Sequence, residues 1–384
     1  MYMLSERRRK CTEEVNKAGL DGVLFATGAN LQYVSETQDF FWQRACMKNM
    51  PDYASAYLIP EALAWLDKDG DLTIVTIPRN KDCFPGVRVV VSYMDQMEDT
   101  LSSVIKGKRI GIGSDCEAWV RETVTAIDPS IEMVFSEEIW SELRCVKDEK
   151  EIAHMRWMAE FTDEAVMHVV KNFREGMTMK EAEACLMQYG FDHGIDDFSF
   201  PPTIGFKRKG QMPVEIPFDY DREQTLTKGT GIAFDIGFMH KGYCSDWGRS
   251  LYYGKAPEIV RDGYAALQAG VVNMINKIKP YETNINELYG FVLEACKERG
   301  FEDYLRFRNT GGLGHQIGID CHEHPLVNNG VDYVLKPGMI FCAEPKMIYY
   351  GIMYMRVEDM ILVTENGAES LSKFPRDLFE IKAD

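Results

Sequence analysis

The strongest constraint on the fold of this chain is a hairpin-like stretch, Phe234–Arg249, that carries one aspartate on each side of its turn. The preceding apolar residues are typical of a buried strand, and Gly237 and Gly242 favour a turn that sends the chain back. A hairpin would bring the carboxylates of Asp235 and Asp246 to one point, where burial is costly unless a cation neutralises them. The stretch alone is also compatible with two solvated aspartates on a surface hairpin.

Three later segments favour the cation. His315 lies in a glycine-rich segment, Glu344 ends an apolar strand, and Glu358 lies inside another apolar strand. Together with the two aspartates they form a donor set of carboxylate oxygens and one imidazole, which suits two hard divalent cations. A pair of such ions can stabilise the attacking and the leaving oxygen of a hydrolysis and can lower the pKa of water. The sequence therefore predicts a two-metal hydrolytic site.

The order Asp, Asp, His, Glu, Glu in these local contexts resembles the pita-bread metallohydrolases. That family includes aminopeptidase P, prolidase and methionine aminopeptidase, with creatinase as a metal-free relative. The resemblance implies five metal ligands, which are Asp235, Asp246, His315, Glu344 and Glu358. It implies two divalent metal ions, with manganese expected and iron, cobalt or zinc as alternatives. It also implies that a metal-bound hydroxide attacks a peptide bond or a small amide.

The resemblance covers nearly the whole chain and implies two domains. An N-terminal creatinase-like α/β domain is expected over residues 1–146, followed by a C-terminal pita-bread catalytic domain of α+β type over residues 147–384. The alternating strand and helix patterns of the first domain also favour a mostly parallel or mixed sheet covered by helices. In the second domain, Asp148 is predicted to cap a long helix, and Thr178 begins a capping box with Glu181.

Three residues receive catalytic roles from the resemblance. Glu344 is the expected proton acceptor while it remains a metal ligand. His322 is expected to hold the substrate carbonyl or to shuttle a proton, because an imidazole titrates near neutral pH. The alternative for His322 is a structural hydrogen bond beside the site. Arg356 lies two residues before Glu358, so a strand places both on one face, where Arg356 can anchor a metal carboxylate or a substrate anion.

Two positions depart from the peptidases that the chain resembles. Val214 and Gly311 stand where prolidase and aminopeptidase P have histidines, whereas a third auxiliary histidine is retained as His322. In those peptidases the histidines help to hold the substrate carbonyl and the proline end of the peptide. Weak activity on Xaa-Pro dipeptides is therefore expected.

Three functions remain open at this point. The first is a two-metal hydrolase resembling Xaa-Pro aminopeptidase or dipeptidase. The second is a small-molecule C–N hydrolase resembling creatinase or ectoine hydrolase, or a metal-dependent lyase resembling dimethylsulfoniopropionate lyase. The third is a binding protein without catalysis. Metal analysis separates the third function from the others, and hydrolysis of Xaa-Pro dipeptides separates the first from the second.

Composition narrows the partners and the compartment. The net charge of −17 argues against nucleic acid or an anionic membrane as the main partner. No apolar run reaches the length of a membrane span. Ten cysteines without a C-x-x-C pair are typical of reduced thiols, which predicts a cytoplasmic location. The resemblance implies that the partner is a small peptide or a small-molecule substrate. The apolar run from Phe40 to Trp42 is compatible with a core segment. By analogy with creatinase-like dimers, it instead predicts a homodimer in which Trp42 and Arg44 close the partner's site.

Overall fold

The computed structural model describes residues 5–40, 49–51, 58–93, 96–208, 222–349 and 353–383. Within it, the chain divides into two compact units, Met1–Arg144 and Cys145–Asp384. Trp42, Arg44 and Val214 lie outside the described residues, so the expectations attached to them have no structural counterpart here. Among the described helices, none is both long and apolar enough to cross a membrane.

The N-terminal unit contains a six-stranded sheet and five helices in its described part. The helices are α1 (Glu6–Lys17), α2 (Ala29–Ser35), α3 (Met97–Val104), α4 (Ala118–Ile127) and α5 (Glu137–Cys145). The strands are β1 (Gly22–Phe25), β2 (Asn49–Pro51), β3 (Leu58–Pro60), β4 (Ala62–Asp67), β5 (Leu72–Thr76), β6 (Arg88–Val91), β7 (Arg109–Ile112) and β8 (Glu132–Phe135). The sheet order is β6-β5-β4-β1-β7-β8, with β1 antiparallel to β4 and parallel to β7. The mixed α/β sheet predicted for this region is therefore present.

In its described part, the C-terminal unit contains four α-helices and the larger sheet. The helices are α6 (Glu149–Asn172), α7 (Met179–Asp192), α8 (Glu258–Lys277) and α9 (Leu288–Glu298). The first strands are β9 (Asp197–Phe198), β10 (Thr203–Arg208), β11 (Thr230–Ile236), β12 (Phe238–His240), β13 (Tyr243–Cys244) and β14 (Trp247–Tyr253). They are followed by β15 (Gly314–Gln316), β16 (Glu323–Val327), β17 (Ile340–Ala343), β18 (Lys346–Tyr349), β19 (Met353–Thr364), β20 (Gly367–Ser370) and β21 (Phe379–Ile381).

Both helices that precede the large sheet begin at the predicted caps. The Asp148 side chain accepts hydrogen bonds from the backbone N–H of Lys150 and of Glu151, and Glu151 accepts from the Asp148 N–H. Thr178 and Glu181 form the same reciprocal arrangement at the start of α7. These side chains satisfy backbone donors that have no partner inside the first turn of a helix, so they determine where α6 and α7 begin.

The main path of the large sheet is β10-β11-β14-β19-β17-β15-β16, and β19 lies at its centre. Val357 and Ile361 of β19 belong to the core that α8 and α9 cover. Because side chains alternate along a strand, Arg356 and Glu358 point to the opposite face. The long strand thus buries one face as core and presents charged groups on the other.

The strand β11 follows the same rule. Phe234 and Ile236 pack into the core formed with α6 and α7. Asp235 lies between them in sequence and therefore points to the other face of the strand. In the register of the sheet, Asp235 pairs with Gly248 of β14, and Gly248 pairs with Glu358 of β19. The alternation and the register together align Asp235 and Glu358 across three neighbouring strands.

Candidate metal centre

The structure brings the five predicted metal ligands to one region of the large sheet. They are Asp235 in β11, Asp246 directly before β14, His315 in β15, Glu344 directly after β17, and Glu358 in β19. Gly248 leaves room for the side chains of Arg356 and Glu358 on the neighbouring strand. A Cβ atom at position 248 would lie 2.3 Å from Cδ of Arg356 and 2.5 Å from Oε2 of Glu358. A side chain at position 248 would displace the groups that the site needs.

Three of the five ligands form a tight buried group with a cysteine. Ligand atoms of Asp246, His315, Glu358 and Cys342 all lie within 4.8 Å of one another. The exposed fractions of the first three residues are 5%, 3% and 1%. The imidazole Nε2 of His315 lies 3.5 Å from Oδ2 of Asp246, while Nδ1 lies 3.0 Å from the Gln316 carbonyl oxygen. An N–H at Nδ1 would leave Nε2 as the nitrogen that faces the carboxylates.

The other two ligands gather around a buried arginine. Nη1 of Arg356 lies 2.7 Å from Oδ1 of Asp235 and 3.1 Å from Oε2 of Glu358. Nη2 of the same guanidinium lies 3.8 Å from Oε2 of Glu344, and Lys346 forms an ion pair with that oxygen. Arg356 therefore links three of the predicted ligands, and the predicted placement of Arg356 and Glu358 on one face is confirmed.

Burial and mutual repulsion set the ionisation of the carboxylates. Burial raises the pKa of Asp246 and the pKa of Glu358, and neighbouring carboxylates raise both further. Burial also tends to raise the pKa of Glu344, but Lys346 and Arg356 outweigh it and hold that pKa below its ordinary value. The site thus contains acids whose charge is poorly compensated by the protein itself.

These features fit a divalent metal. Oδ1 of Asp246 is buried and has no hydrogen-bond partner among the described residues. A buried carboxylate oxygen without a partner is costly, and a cation bound there would remove the cost. The oxygens of four carboxylates and one imidazole nitrogen are the donors that Mn²⁺, Fe²⁺, Co²⁺ and Zn²⁺ accept. The donor set and the unpartnered oxygen of Asp246 therefore both favour a bound divalent metal ion.

His322 lies exposed at the edge of this group. Its ring packs edge-on against the ring of His315, with 4.1 Å between the centroids. One ring nitrogen lies within 4.8 Å of a carboxylate oxygen of Asp246. Burial of part of the ring and the neighbouring His315 lower the pKa of His322, so the neutral imidazole predominates at neutral pH.

Gly311 explains why a histidine is absent from that position. Its φ is +61°, in the left-handed region, and a Cβ atom there would lie 2.0 Å from Oδ1 of Asn329. Asn329 thus occupies the space that a side chain at position 311 would enter. The backbone conformation and the neighbouring side chain therefore both favour glycine at position 311.

Three further residues contact the site without having been predicted from the sequence. Cys342 belongs to the buried group, Cys321 lies with its sulfur 3.5 Å from Oδ2 of Asp246, and Lys346 pairs with Glu344. Two of them were within reach of sequence reasoning: Cys342 precedes Glu344 by two residues, and Lys346 follows it by two. A period of two along extended backbone indicates a shared face.

Comparison with known proteins agrees with this geometry. Residues 153–365 match the family described as metallopeptidase family M24. The chain is 25% identical over 378 residues to an Xaa-Pro dipeptidase of Pyrococcus horikoshii, a match that covers 98% of this chain and 100% of that one. It is 30% identical over 247 residues to a putative dipeptidase of Bacillus subtilis, covering 64% of this chain and 66% of that protein.

Solved structures show the same fold. The prolidase of Pyrococcus horikoshii superposes with a TM-score of 0.81 at 22% identity, covering 97% of this chain and 100% of that one. A variant of Escherichia coli aminopeptidase P superposes with a TM-score of 0.74 at 17% identity, covering 96% and 94%. The predicted pita-bread architecture is therefore confirmed. The match over more than half of the sequence identifies this protein as a member of metallopeptidase family M24, a metal-dependent hydrolase that works with divalent ions.

Proposed function

We propose that the protein is an Xaa-Pro dipeptidase that hydrolyses the bond between an N-terminal residue and proline in short peptides. The observation that carries the proposal is the buried group of Asp246, His315 and Glu358, joined through Arg356 to Asp235. It is supported by similarity over nearly the full length to an Xaa-Pro dipeptidase. The same ligands would suit the small-molecule alternative, which the residues at positions 214 and 311 favour, so the similarity to dipeptidases is what supports a peptide substrate. The complete ligand set argues against a binding protein without catalysis.

Two divalent ions would be held by the carboxylates of Asp235, Asp246, Glu344 and Glu358 and by Nε2 of His315. Manganese is the proposed ion, because oxygen donors with a single imidazole suit it better than softer metals. When bound, such a pair of ions activates water and polarises the substrate carbonyl. Arg356 would hold the carboxylates of Asp235 and Glu358 in position through its two short contacts.

Glu344 is the proposed proton acceptor. Lys346 and Arg356 hold the pKa of Glu344 low, and a divalent ion bound to the carboxylate would also keep it ionised at neutral pH, so it could take a proton from the attacking water. The proton can then pass to the nitrogen of the leaving amine. Position also supports the role, since Glu344 lies directly after β17, at the end of a strand rather than inside the sheet.

His322 is the proposed donor to the substrate carbonyl. A neutral imidazole carries one N–H, and the exposed position of His322 beside His315 allows a substrate to reach it. As the amide carbon becomes tetrahedral, negative charge develops on its oxygen, and an N–H aimed at that oxygen stabilises the transition state.

The oligomeric state and the compartment are also part of the proposal. We propose a homodimer, by analogy with the creatinase-like dimers that the chain resembles, and a cytoplasmic location, supported by cysteines that are free throughout the described residues. We retain 1–146 and 147–384 as the proposed domains. In sequence, the division between the two compact units follows Arg144, two residues before that boundary.

The experiment is hydrolysis by metal-free protein reconstituted with manganese, iron, cobalt or zinc. Xaa-Pro dipeptides, dipeptides without proline and small amides such as creatine would be compared under the same conditions. We expect cleavage only of Xaa-Pro dipeptides, dependent on metal and abolished in Glu358→Gln, with Glu369→Gln as a surface control. Cleavage of a small amide but of no Xaa-Pro peptide by the metal-loaded protein would overturn the proposal.

A further inference from the structure

Two cations lie directly opposite each other at the metal centre. In the antiparallel pair of β18 and β19, Lys346 is the partner of Arg356. Side chains of directly opposed residues leave the same face of a sheet, with Cβ atoms about 5 Å apart, and like charges in that arrangement destabilise the pair. The arrangement is therefore unfavourable for folding unless negative groups compensate it.

Both cations are largely removed from water. The exposed fraction of the side chain is 12% for Lys346 and 3% for Arg356. Lysine is rarely buried to this extent without a partner, because its ammonium group is strongly hydrated. The compensating groups are the carboxylates of the site. Lys346 pairs with Glu344, while Arg356 contacts Asp235 and Glu358 closely and Glu344 more distantly.

Divalent ions would change this balance. Once the carboxylates share their charge with metal, the positive charges of Lys346 and Arg356 are no longer offset by them. Arg356 remains close to Asp235 and Glu358, and it is almost fully buried. Lys346 is the more exposed of the two, and its long flexible stem carries three donors. It is the cation that can turn from Glu344 toward a bound substrate.

We propose that Lys346 binds the free carboxylate of the substrate and thereby selects Xaa-Pro dipeptides over peptides that continue beyond the proline. This rests on the proposed function. In an Xaa-Pro dipeptide the proline carboxylate is attached to the carbon next to the scissile nitrogen, so it lies close to the reacting amide. Lys346 follows the proposed proton acceptor Glu344 by two residues and contacts it. A longer peptide presents a neutral amide at the same point and leaves the ammonium group without an anion.

Lys346 can supply a substrate contact that the missing histidine at position 311 would have provided. Gly311 and its neighbour Asn329 exclude a histidine from one place where related peptidases hold the substrate. Lys346, which pairs with Glu344, supplies a charged donor within the site. The substrate class is therefore a short peptide with a free carboxylate on the residue after the cleaved bond.

The kinetic experiment compares Ala-Pro with its C-terminal amide on the metal-loaded enzyme. In Lys346→Met we expect KM for the free acid to rise by about ten- to a hundredfold, the usual effect of losing a hydrogen bond to a charged group. KM for the amide should change by less than about twofold, since an amide makes no ion pair. Lys346→Arg should recover most of the loss. Lys373→Met, which removes an exposed ion pair with Glu160, is the matched control.

A binding experiment tests the site without catalysis. Calorimetry would measure proline and prolinamide on the manganese-loaded wild type and on Lys346→Met, with metal content measured on both. The proposal requires that wild type prefer proline, that Lys346→Met lose the preference, and that the metal content stay the same. Wild type that binds proline no better than prolinamide overturns it. So does a variant that keeps the preference or loses metal.

The two proposals fail in different ways. If wild type cleaves no Xaa-Pro dipeptide but binds proline through Lys346, the proposed function is wrong and the carboxylate site stands. If wild type cleaves Xaa-Pro dipeptides and Lys346→Met still discriminates acid from amide, the function stands and the assignment of Lys346 is wrong.

Discussion

The carboxylate of Asp246 and the imidazole of His315 lie 3.5 Å apart, although the strands they belong to are not neighbours in the sheet. Asp246 leads into β14 and His315 lies in β15, and both β19 and β17 lie between those strands. The contact therefore depends on the pairing of four strands. Each residue also changes the pKa of the other. Burial lowers the pKa of His315, but Asp246 more than offsets this and the pKa is raised. Burial raises the pKa of Asp246, and His315 in turn lowers it.

Replacing Asp246 should remove metal. Asp246→Asn keeps the shape of the side chain but loses its charge, so at least one divalent ion per chain should be lost. Inductively coupled plasma mass spectrometry after reconstitution measures this directly, with up to two ions expected in wild type. Glu369→Gln, on a surface strand, is the control for general loss of carboxylates. An unchanged metal content in Asp246→Asn would rule out Asp246 as a ligand.

Chelation should destabilise the protein more at pH 8 than at pH 5. In the unfolded chain the pKa values of Asp246 and Glu358 are about 4. In the native protein both pKa values are raised. Between the unfolded and the native pKa the native state holds more protons, so the free energy of unfolding of metal-free protein falls as the pH rises.

Thermal unfolding with and without chelator across this pH range tests the sign. Bound metal keeps the carboxylates ionised and compensated, so the loaded protein should lack this slope. A chelator effect that shrinks toward pH 8 would contradict the assignment of Asp246 and Glu358 as poorly compensated buried acids.

His322→Ala should lower catalysis without removing metal. Loss of a donor to a developing oxyanion typically costs about a hundredfold in kcat. Wild-type activity on Xaa-Pro dipeptides should itself be weak, with kcat/KM below about 10⁴ M⁻¹s⁻¹, because Val214 and Gly311 replace histidines. Steady-state kinetics with parallel metal analysis decides both points. A variant with normal kcat would reduce His322 to a structural role.

Gly311→His should unfold more easily than a matched variant elsewhere. Gly176 also has positive φ, but a Cβ atom there meets nothing within 4 Å. Gly176→His should therefore cost only the left-handed backbone strain, about 1–2 kcal/mol. Gly311→His should cost more than this, because the exposed side chain of Asn329 would first have to turn away from the new Cβ atom. Urea unfolding compares them, and adding Asn329→Ala should recover part of the difference. Equal costs for the two histidines would refute the steric argument.

Local signals in the sequence were sufficient for part of the fold. The caps at Asp148 and Thr178 act within one turn of helix, so their side chains alone predict where α6 and α7 begin. The helix α5 was not predicted, because it depends on a distant contact. Trp140 within it is buried and packs edge-on against Phe25 of β1, with 4.9 Å between the ring centroids.

The candidate site also has a part that the sequence predicts and a part that it does not. The proposed ligands could be selected by residue type, order and resemblance, since each lies in a recognisable local context. The contact between Lys346 and Glu344 depends on a register between β18 and β19 that no local pattern specifies. The obstruction of Gly311 by Asn329 depends on two loops meeting, which a single sequence does not reveal.

That obstruction also couples two positions of the sequence. A histidine introduced at position 311 beside Asn329 has to displace the Asn329 side chain, whereas the same histidine beside a smaller residue at position 329 does not. The effects of substitutions at these two positions on stability should therefore not be additive.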